Sequence, residues 1–358
     1  MRSRTSLPGL TPSSASVPSL PALLGSGQAH GKVILIGEHA VVYGRSAIAA
    51  AIDRQVRVSI LAAEHEGEVG CGEGSVRDGA PFTLIISSPE ESEPSPQSTL
   101  LLQAVTRAAD LLDVDLRGLK LRIDADLPAA VGLGSSAALS VALVRALAAT
   151  HSRALTADNV CSLAYELERL FHGFPSGIDN TVATHGGLVL FRRDAKARSL
   201  ASSRAIPLVV AIGRAPRNTS TAVGRLRARW QENRGPHEAC FDRIQDLARE
   251  AGDAIESADW PLLGRCFDTN HALLQELGVS TPELDEMVDL ARSHGALGAK
   301  LTGGGGGGAI VCLTDADPQQ LVRVFTAAGW RAFPTVIQPT LRGDYARQEY
   351  GDDHVTGA

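Results

Sequence analysis

Gly132 and Gly134 stand in the segment Val131-Gly-Leu-Gly-Ser-Ser-Ala137, between an alternating strand and an apolar helical stretch. Glycine at both positions lets the backbone turn sharply and lets a ligand approach closely, because no Cβ blocks the way. A helix beginning here leaves its first N–H groups without intrahelical partners and carries the positive end of its dipole at the same place. The backbone of Gly132, Leu133, Gly134, Ser135, Ser136 and Ala137 therefore suits a phosphate, and the serine hydroxyls offer a further hydrogen bond or a metal ligand. The same residues also describe an ordinary strand-to-helix turn with a serine N-cap, and spacing does not choose between the two. Asp179, in Ser176-Gly-Ile-Asp-Asn, is a second candidate. It follows Gly173 and Pro175, which end an amphipathic helix, so its carboxylate can project into a cleft and accept a hydroxyl proton. Taken alone, an Asp-Asn pair after Ser-Gly reads more simply as a turn or cap. Other phosphate signatures are missing. Gly25-Ser-Gly-Gln-Ala-His-Gly-Lys-Val departs from the GxxxxGK[ST] loop at Ser26 and Val33, and no HRD or DFG element occurs.

The elements that must hold these residues are legible as periodicities. Order is expected from about Gln28, with a strand opened by Lys32-Val-Ile-Leu-Ile and a second at Gln55-Val-Arg-Val-Ser-Ile. Further strands are expected at Phe82–Ile86, Leu119–Asp124, Gly187–Phe191, Leu208–Ile212, on both sides of the six glycines 303–308, and near Phe333–Ile337. Helical spacing covers 100–112, 136–149 and, from Thr156 as N-cap, 156–171. In that last helix Glu168 falls at the edge of the apolar face, where a half-buried side chain is expected. The second half is helix-rich, at 237–257, 261–277, 281–294 and 318–328. Thr281 as N-cap, Pro282 at N1 and Gly295 beyond the end write both ends of one of these helices. The arrangement predicts an α+β fold of two domains, 28–205 and 206–345, with a flexible leader at 1–27 and a loose tail at 346–358. The cluster Arg225, Arg227 and Arg229 and the histidines outside the motifs are expected on the solvated surface.

Composition sets limits. The 358 residues are 44 % hydrophobic and 21 % charged, which fits a globular chain and excludes disorder, collagen or coiled coil for the whole. A net charge of −6 argues against a nucleic-acid-coating surface. The 5 cysteines are scattered and form no CxxC pair, so a disulfide framework or structural zinc is not expected and a reducing, cytoplasmic setting is. No apolar run is long enough to span a membrane.

Three segments, in order, resemble the motifs of the GHMP small-molecule kinases: Gly31-Lys-Val-Ile-Leu-Ile-Gly-Glu-His-Ala-Val-Val-Tyr-Gly44, Pro128-Ala-Ala-Val-Gly-Leu-Gly-Ser-Ser-Ala-Ala138 and Lys300-Leu-Thr followed by Gly303–Gly308. The first, with His39, is similar to the branch of the family that phosphorylates mevalonate. So are the separation of eleven positions between Glu168 and Asp179 and the segment Pro216-Arg-Asn-Thr219. One departure is Ala129-Ala130-Val131 at the start of the phosphate loop, expected to alter stiffness rather than chemistry. The resemblance implies the two-domain GHMP fold with its active site in the cleft between the domains. It implies ATP and mevalonate as substrates, Mg²⁺ held by Glu168 with Ser136 (Ser135 is the other choice), Asp179 as catalytic base and Lys32 as its cationic partner. Glu38, His39, Thr219, Thr302 and Gly303 are then expected on the acceptor side. No nucleic acid or membrane partner is implied, and a homodimer is allowed. A different GHMP acceptor (phosphomevalonate, a sugar or homoserine) and a ligand-sensing relative without chemistry are the rival readings.

Overall fold

A computed structural model describes residues 22–62, 82–87, 96–173, 175–215, 219–340 and 343–344. Its strands are β1 (Leu23–Ile36), β2 (Ala47–Ala62), β3 (Thr83–Ser87), β4 (Leu119–Ala125), β5 (Leu188–Phe191), β6 (Arg198–Ser199), β7 (Ile206–Ile212), β8 (Gly298–Thr302), β9 (Ala309–Leu313), β10 (Arg331–Ile337) and β11 (Gly343–Asp344). Its helices are α1 (Pro96–Leu112), α2 (Ser135–Thr150), α3 (Ala157–His172), α4 (Ile178–His185), α5 (Thr219–Glu232), α6 (Arg234–Ser257), α7 (Trp260–Glu276), α8 (Pro282–Ser293) and α9 (Pro318–Ala327).

Two mixed α+β layers result. The first sheet runs β11-β6-β5-β2-β4-β3 with β1 also on β2, and the second runs β10-β7-β9-β8. The chain crosses from one sheet to the other between β6 and β7, then returns for β11, which pairs antiparallel with β6. That return was not expected from the polar C-terminal stretch. Helix α2 reads as apolar nearly all round because it is covered nearly all round: it packs against β1, β2, α1, α3 and α4. Val141, Leu143, Val144 and Leu147 are wholly buried, each stabilising the fold by about 1.5–3 kcal/mol. In the second layer β9 is buried along its whole length between β7 and β8, so its run Ala-Ile-Val-Cys-Leu carries no polar alternation.

Three expectations are corrected. β1 begins at Leu23 rather than near Gln28, so 23–27 belong to the first sheet and Lys32 lies inside the strand. Residues 1–21 of the expected leader and the expected tail, 346–358, lie outside the described residues. Helices α4 and α5 were not anticipated. Helix α4 has only 8 residues, too few for a clear period, and starts from Gly177 at φ 89°, which looks like a turn in sequence. Four cysteines, Cys161, Cys240, Cys266 and Cys312, are buried thiols, while Cys71 lies outside the described residues. No helix of the described residues is long and apolar enough to cross a membrane.

Candidate active site

The start of α2 is capped by Gly134 at φ 72°, ψ 30°, and no side chain caps it. The first intrahelical bond runs from the Ala138 N–H to the Gly134 carbonyl, so the N–H groups of Ser135, Ser136 and Ala137 precede the ladder. The serine N-cap that sequence left open is thereby dropped, because both serines are inside the helix. Gly134 is required twice. Its φ is left-handed, and a Cβ there would stand 2.8 Å from Lys32 Cγ.

Lys32 ties this loop to β1. Its backbone N–H donates to the Leu133 carbonyl at 2.8 Å, and its Nζ donates to the Gly132 carbonyl at 3.2 Å. The same ammonium lies 3.2 Å from Asp179 Oδ1, with Lys32 3 % and Asp179 30 % exposed. Asp179 sits in the first turn of α4, where the helix dipole favours a carboxylate. The aspartate is therefore beside the phosphate-loop candidate, open to solvent on one side and paired with a buried cation on the other. The cleft residue expected from sequence lies on a helix start rather than on a loop.

Glu168 is 1 % exposed, not half buried as its helix face suggested, because α2 covers it. Ser136 Oγ donates to Glu168 Oε2 at 3.2 Å and Ser140 Oγ to Glu168 Oε1 at 3.4 Å. Burial first, and then the Asp179 charge, push the Glu168 carboxyl up to about 8. A buried carboxyl beside a second carboxylate is a place where a cation would be welcome. The fit is one carboxylate and one hydroxyl, the sparse protein ligation that Mg²⁺ takes when substrate phosphates complete its shell. Among the described residues no group of three or more His, Cys, Asp or Glu forms a metal cluster by itself. His172 is exposed, as sequence suggested, and its Nε2 lies 3.0 Å from Ser136 Oγ and 3.7 Å from Glu168 Oε2. The signal was available: Glu168 and His172 are i and i+4 on α3.

The acceptor-side candidates divide. His39, at φ 61°, is 6 % exposed and donates from Nε2 to the Gly304 carbonyl at 3.1 Å. Gly303, at φ 83°, opens the glycine turn that carries this carbonyl. Glu38 is corrected. Its side chain is wholly buried in an ion pair with Lys300, and Asn270 Nδ2 donates to its other oxygen at 3.0 Å, so it does not line an open face. Thr302 also faces the first layer. Its hydroxyl accepts from the Ile34 N–H at 2.9 Å and donates to the Ile34 carbonyl at 3.2 Å, which binds β8 to β1. Thr219 begins α5, and its side chain lies outside the described residues, as do residues 216–218. Sequence also missed His271, 1 % exposed, whose Nδ1 accepts from the Leu301 N–H at 3.3 Å and whose Nε2 donates to Asp285 at 3.1 Å. Arg229, taken for solvated surface, donates to the Leu277 carbonyl at 2.6 Å.

Comparison with known proteins agrees with this geometry. Residues 100–187 match the model of the GHMP kinases N terminal domain, and 241–330 that of the GHMP kinases C terminal domain. The mevalonate kinase of Thermococcus gammatolerans is 34 % identical over 318 residues, covering 86 % of this chain and 94 % of that protein. That of Aeropyrum pernix is 35 % identical over 287 residues, covering 80 % and 87 %. The crystal structure of L. major mevalonate kinase in complex with R-mevalonate superposes with a TM-score of 0.76 at 31 % identity, covering 90 % of this chain and 99 % of that one. The chain belongs to the GHMP kinase family, in its mevalonate kinase branch.

Proposed function

We infer that this protein transfers the γ-phosphoryl group of ATP to the 5-hydroxyl of (R)-mevalonate, giving ADP and 5-phosphomevalonate. The observation that carries the reading is the Lys32–Asp179 pair, at 3.2 Å, beside the uncapped start of α2. Phosphoryl transfer needs positioning, charge neutralisation and a place for the acceptor proton, and each need has a residue here. The N–H groups at 135–137 hold a phosphate. Asp179 takes the hydroxyl proton as the new O–P bond forms and the bond from the γ-phosphorus to the ADP oxygen breaks. Lys32, buried and fixed by Gly132, supplies fixed positive charge where negative charge gathers. Ser136 and Glu168 hold Mg²⁺, which neutralises phosphate charge when bound. His39 faces the acceptor from the glycine-turn side, and Thr219 and Gly303 remain acceptor-side candidates.

The rival reading of a ligand sensor without chemistry is disfavoured by the intact Lys32, Glu168 and Asp179 set. A cytoplasmic location is proposed from the buried cysteine thiols, and a homodimer is compatible with the family. The test is a coupled ADP-release assay with mevalonate, phosphomevalonate, galactose and homoserine in parallel. Turnover of mevalonate at least a hundredfold faster than of the others is expected, and turnover of another acceptor alone would overturn the assignment.

A further inference from the structure

We propose that Lys300 is a positioning residue for the acceptor side, its buried pair with Glu38 fixing the peptide 34–39, and so His39, against the glycine turn. The proposal deepens the reading above and rests on His39 facing the acceptor.

Lys300 and Glu38 are both fully buried, and they join the two layers: Glu38 follows β1, and Lys300 is in β8. The Lys300 ammonium also donates to the Ile34 carbonyl at 3.3 Å and to the Leu301 carbonyl at 2.6 Å. Asn270, from α7, holds the other Glu38 oxygen, and Thr302 holds Ile34 by both backbone atoms. His39 then reaches the Gly304 carbonyl. A six-residue peptide of the first layer is thus gripped from Lys300, Thr302, Gly304 and Asn270, all in the second.

Four unfavourable features meet in this grip. A fully buried ion pair is usually no more stabilising than an apolar pair of the same shape, because desolvation cancels the attraction. Burial pulls the Lys300 amine below its ordinary range, and Lys32 adds to the effect. Asn270 spends its amide on Glu38 while its own Oδ1 has no hydrogen-bond partner. His39 has a positive φ without being glycine, a conformation that persists only where the surroundings over-determine it. Stability alone does not ask for any of these. Fixing the direction of one side chain at a reacting site does, since a misplacement of about 1 Å costs about a hundredfold in rate.

The experiment uses Lys300→Met and the charge-free double variant Glu38→Gln/Lys300→Met, with thermal midpoints and separate KM values for mevalonate and ATP. Lys300→Met leaves Glu38 unpaired and is expected to melt early. The double variant removes both charges and is expected to recover most of the midpoint while keeping a mevalonate KM raised tenfold or more, with the ATP KM within twofold. Recovery of both midpoint and mevalonate KM would make the pair a fastener only and overturn the proposal, as would equal rises in the two KM values. Thr302→Val is the second line should either variant fail to fold. It keeps shape and charge, loses both bonds to Ile34, and is expected to raise the mevalonate KM about threefold and leave the ATP KM unchanged; no rise would count against the proposal. The unaltered chain, run in the same assay, separates the two readings: turnover of a different acceptor refutes the acceptor assignment, and the same split is then read on that acceptor's KM.

Discussion

Gly134→Ala is the perturbation that most sharply separates a folding role from a catalytic one at the phosphate loop. Two costs arise. The first is conformational, since φ 72° is left-handed and a residue with a Cβ spends about 1–2 kcal/mol there. On the whole chain that lowers the thermal midpoint by about 1–3 °C. The second is a contact. The new Cβ would lie 2.8 Å from Lys32 Cγ and 3.2 Å from Cε, whereas ordinary contact begins at 3.4 Å, so Lys32 must give by about 0.6 Å. Its backbone, in β1 and hydrogen-bonded to the Leu133 carbonyl, cannot move easily, and the stem must swing instead. The ammonium at the end of that lever loses Asp179 and the Gly132 carbonyl together, both now at 3.2 Å. A fall in kcat of about 10²-fold is expected from displacement on this scale. The control is Gly118→Ala, at φ 70° in open space before β4, which bears the same backbone cost and touches nothing. Steady-state kinetics and thermal melts of both variants decide. If Gly134→Ala and Gly118→Ala lose the same few degrees and Gly134→Ala retains kcat within threefold of its control, the coupling of the loop to Lys32 is wrong.

Two further outcomes are expected. Asp179→Asn should lower kcat by about 10²–10⁴-fold with the ATP KM little changed. The variant leaves the Lys32 ammonium, only 3 % exposed, without its counter-charge, so the thermal midpoint should fall as well; an unaltered kcat would remove Asp179 from the chemistry. His271 is pushed down to about 4 from 6.5, by burial first, with Asp285 opposing and Lys300 assisting. A depressed histidine means that the unfolded chain takes up a proton below pH about 6.5 that the folded chain refuses until pH about 4. Stability should therefore fall as pH drops through that window, by up to about 3 kcal/mol, and His271→Gln should flatten the slope in urea melts at pH 7, 6 and 5. Parallel slopes for the two proteins would contradict the assignment.

How much of this was legible in the sequence depends on how local each signal is. The start of α2 was readable because Gly132, Gly134 and the helix after them lie within a few residues, and the physics of a helix start needs nothing more distant. The α8 boundaries were written in the same way, by Thr281 and Pro282. Glu168 was misjudged because periodicity reports only the face a helix turns to its first neighbour; α2 and α4 both pack on α3, and the second contact has no trace in the spacing of α3. Helix α4 was missed because its residues are fixed by tertiary contact, such as Asn180 Nδ2 to the Cys161 carbonyl, and not by an apolar stripe.

Glu38 and Thr302 show that a motif residue can serve the fold. Glu38 and Thr302 were assigned to the acceptor because they stand inside motifs whose neighbours plausibly do chemistry. Yet Glu38 and Lys300, 262 residues apart, satisfy each other, and Thr302 satisfies Ile34 across 268. A motif is a stretch where several physical demands coincide, and only some of them face the ligand. Charged groups that must be buried, here Lys300 and Glu38, need a partner of opposite sign supplied by the fold. The two halves of that pair fall in the first and third motifs, so the cleft between the layers and the grip that joins them are built from the same few residues. Substitutions in Lys300-Leu-Thr should therefore register in acceptor binding even where no atom of those residues touches the acceptor.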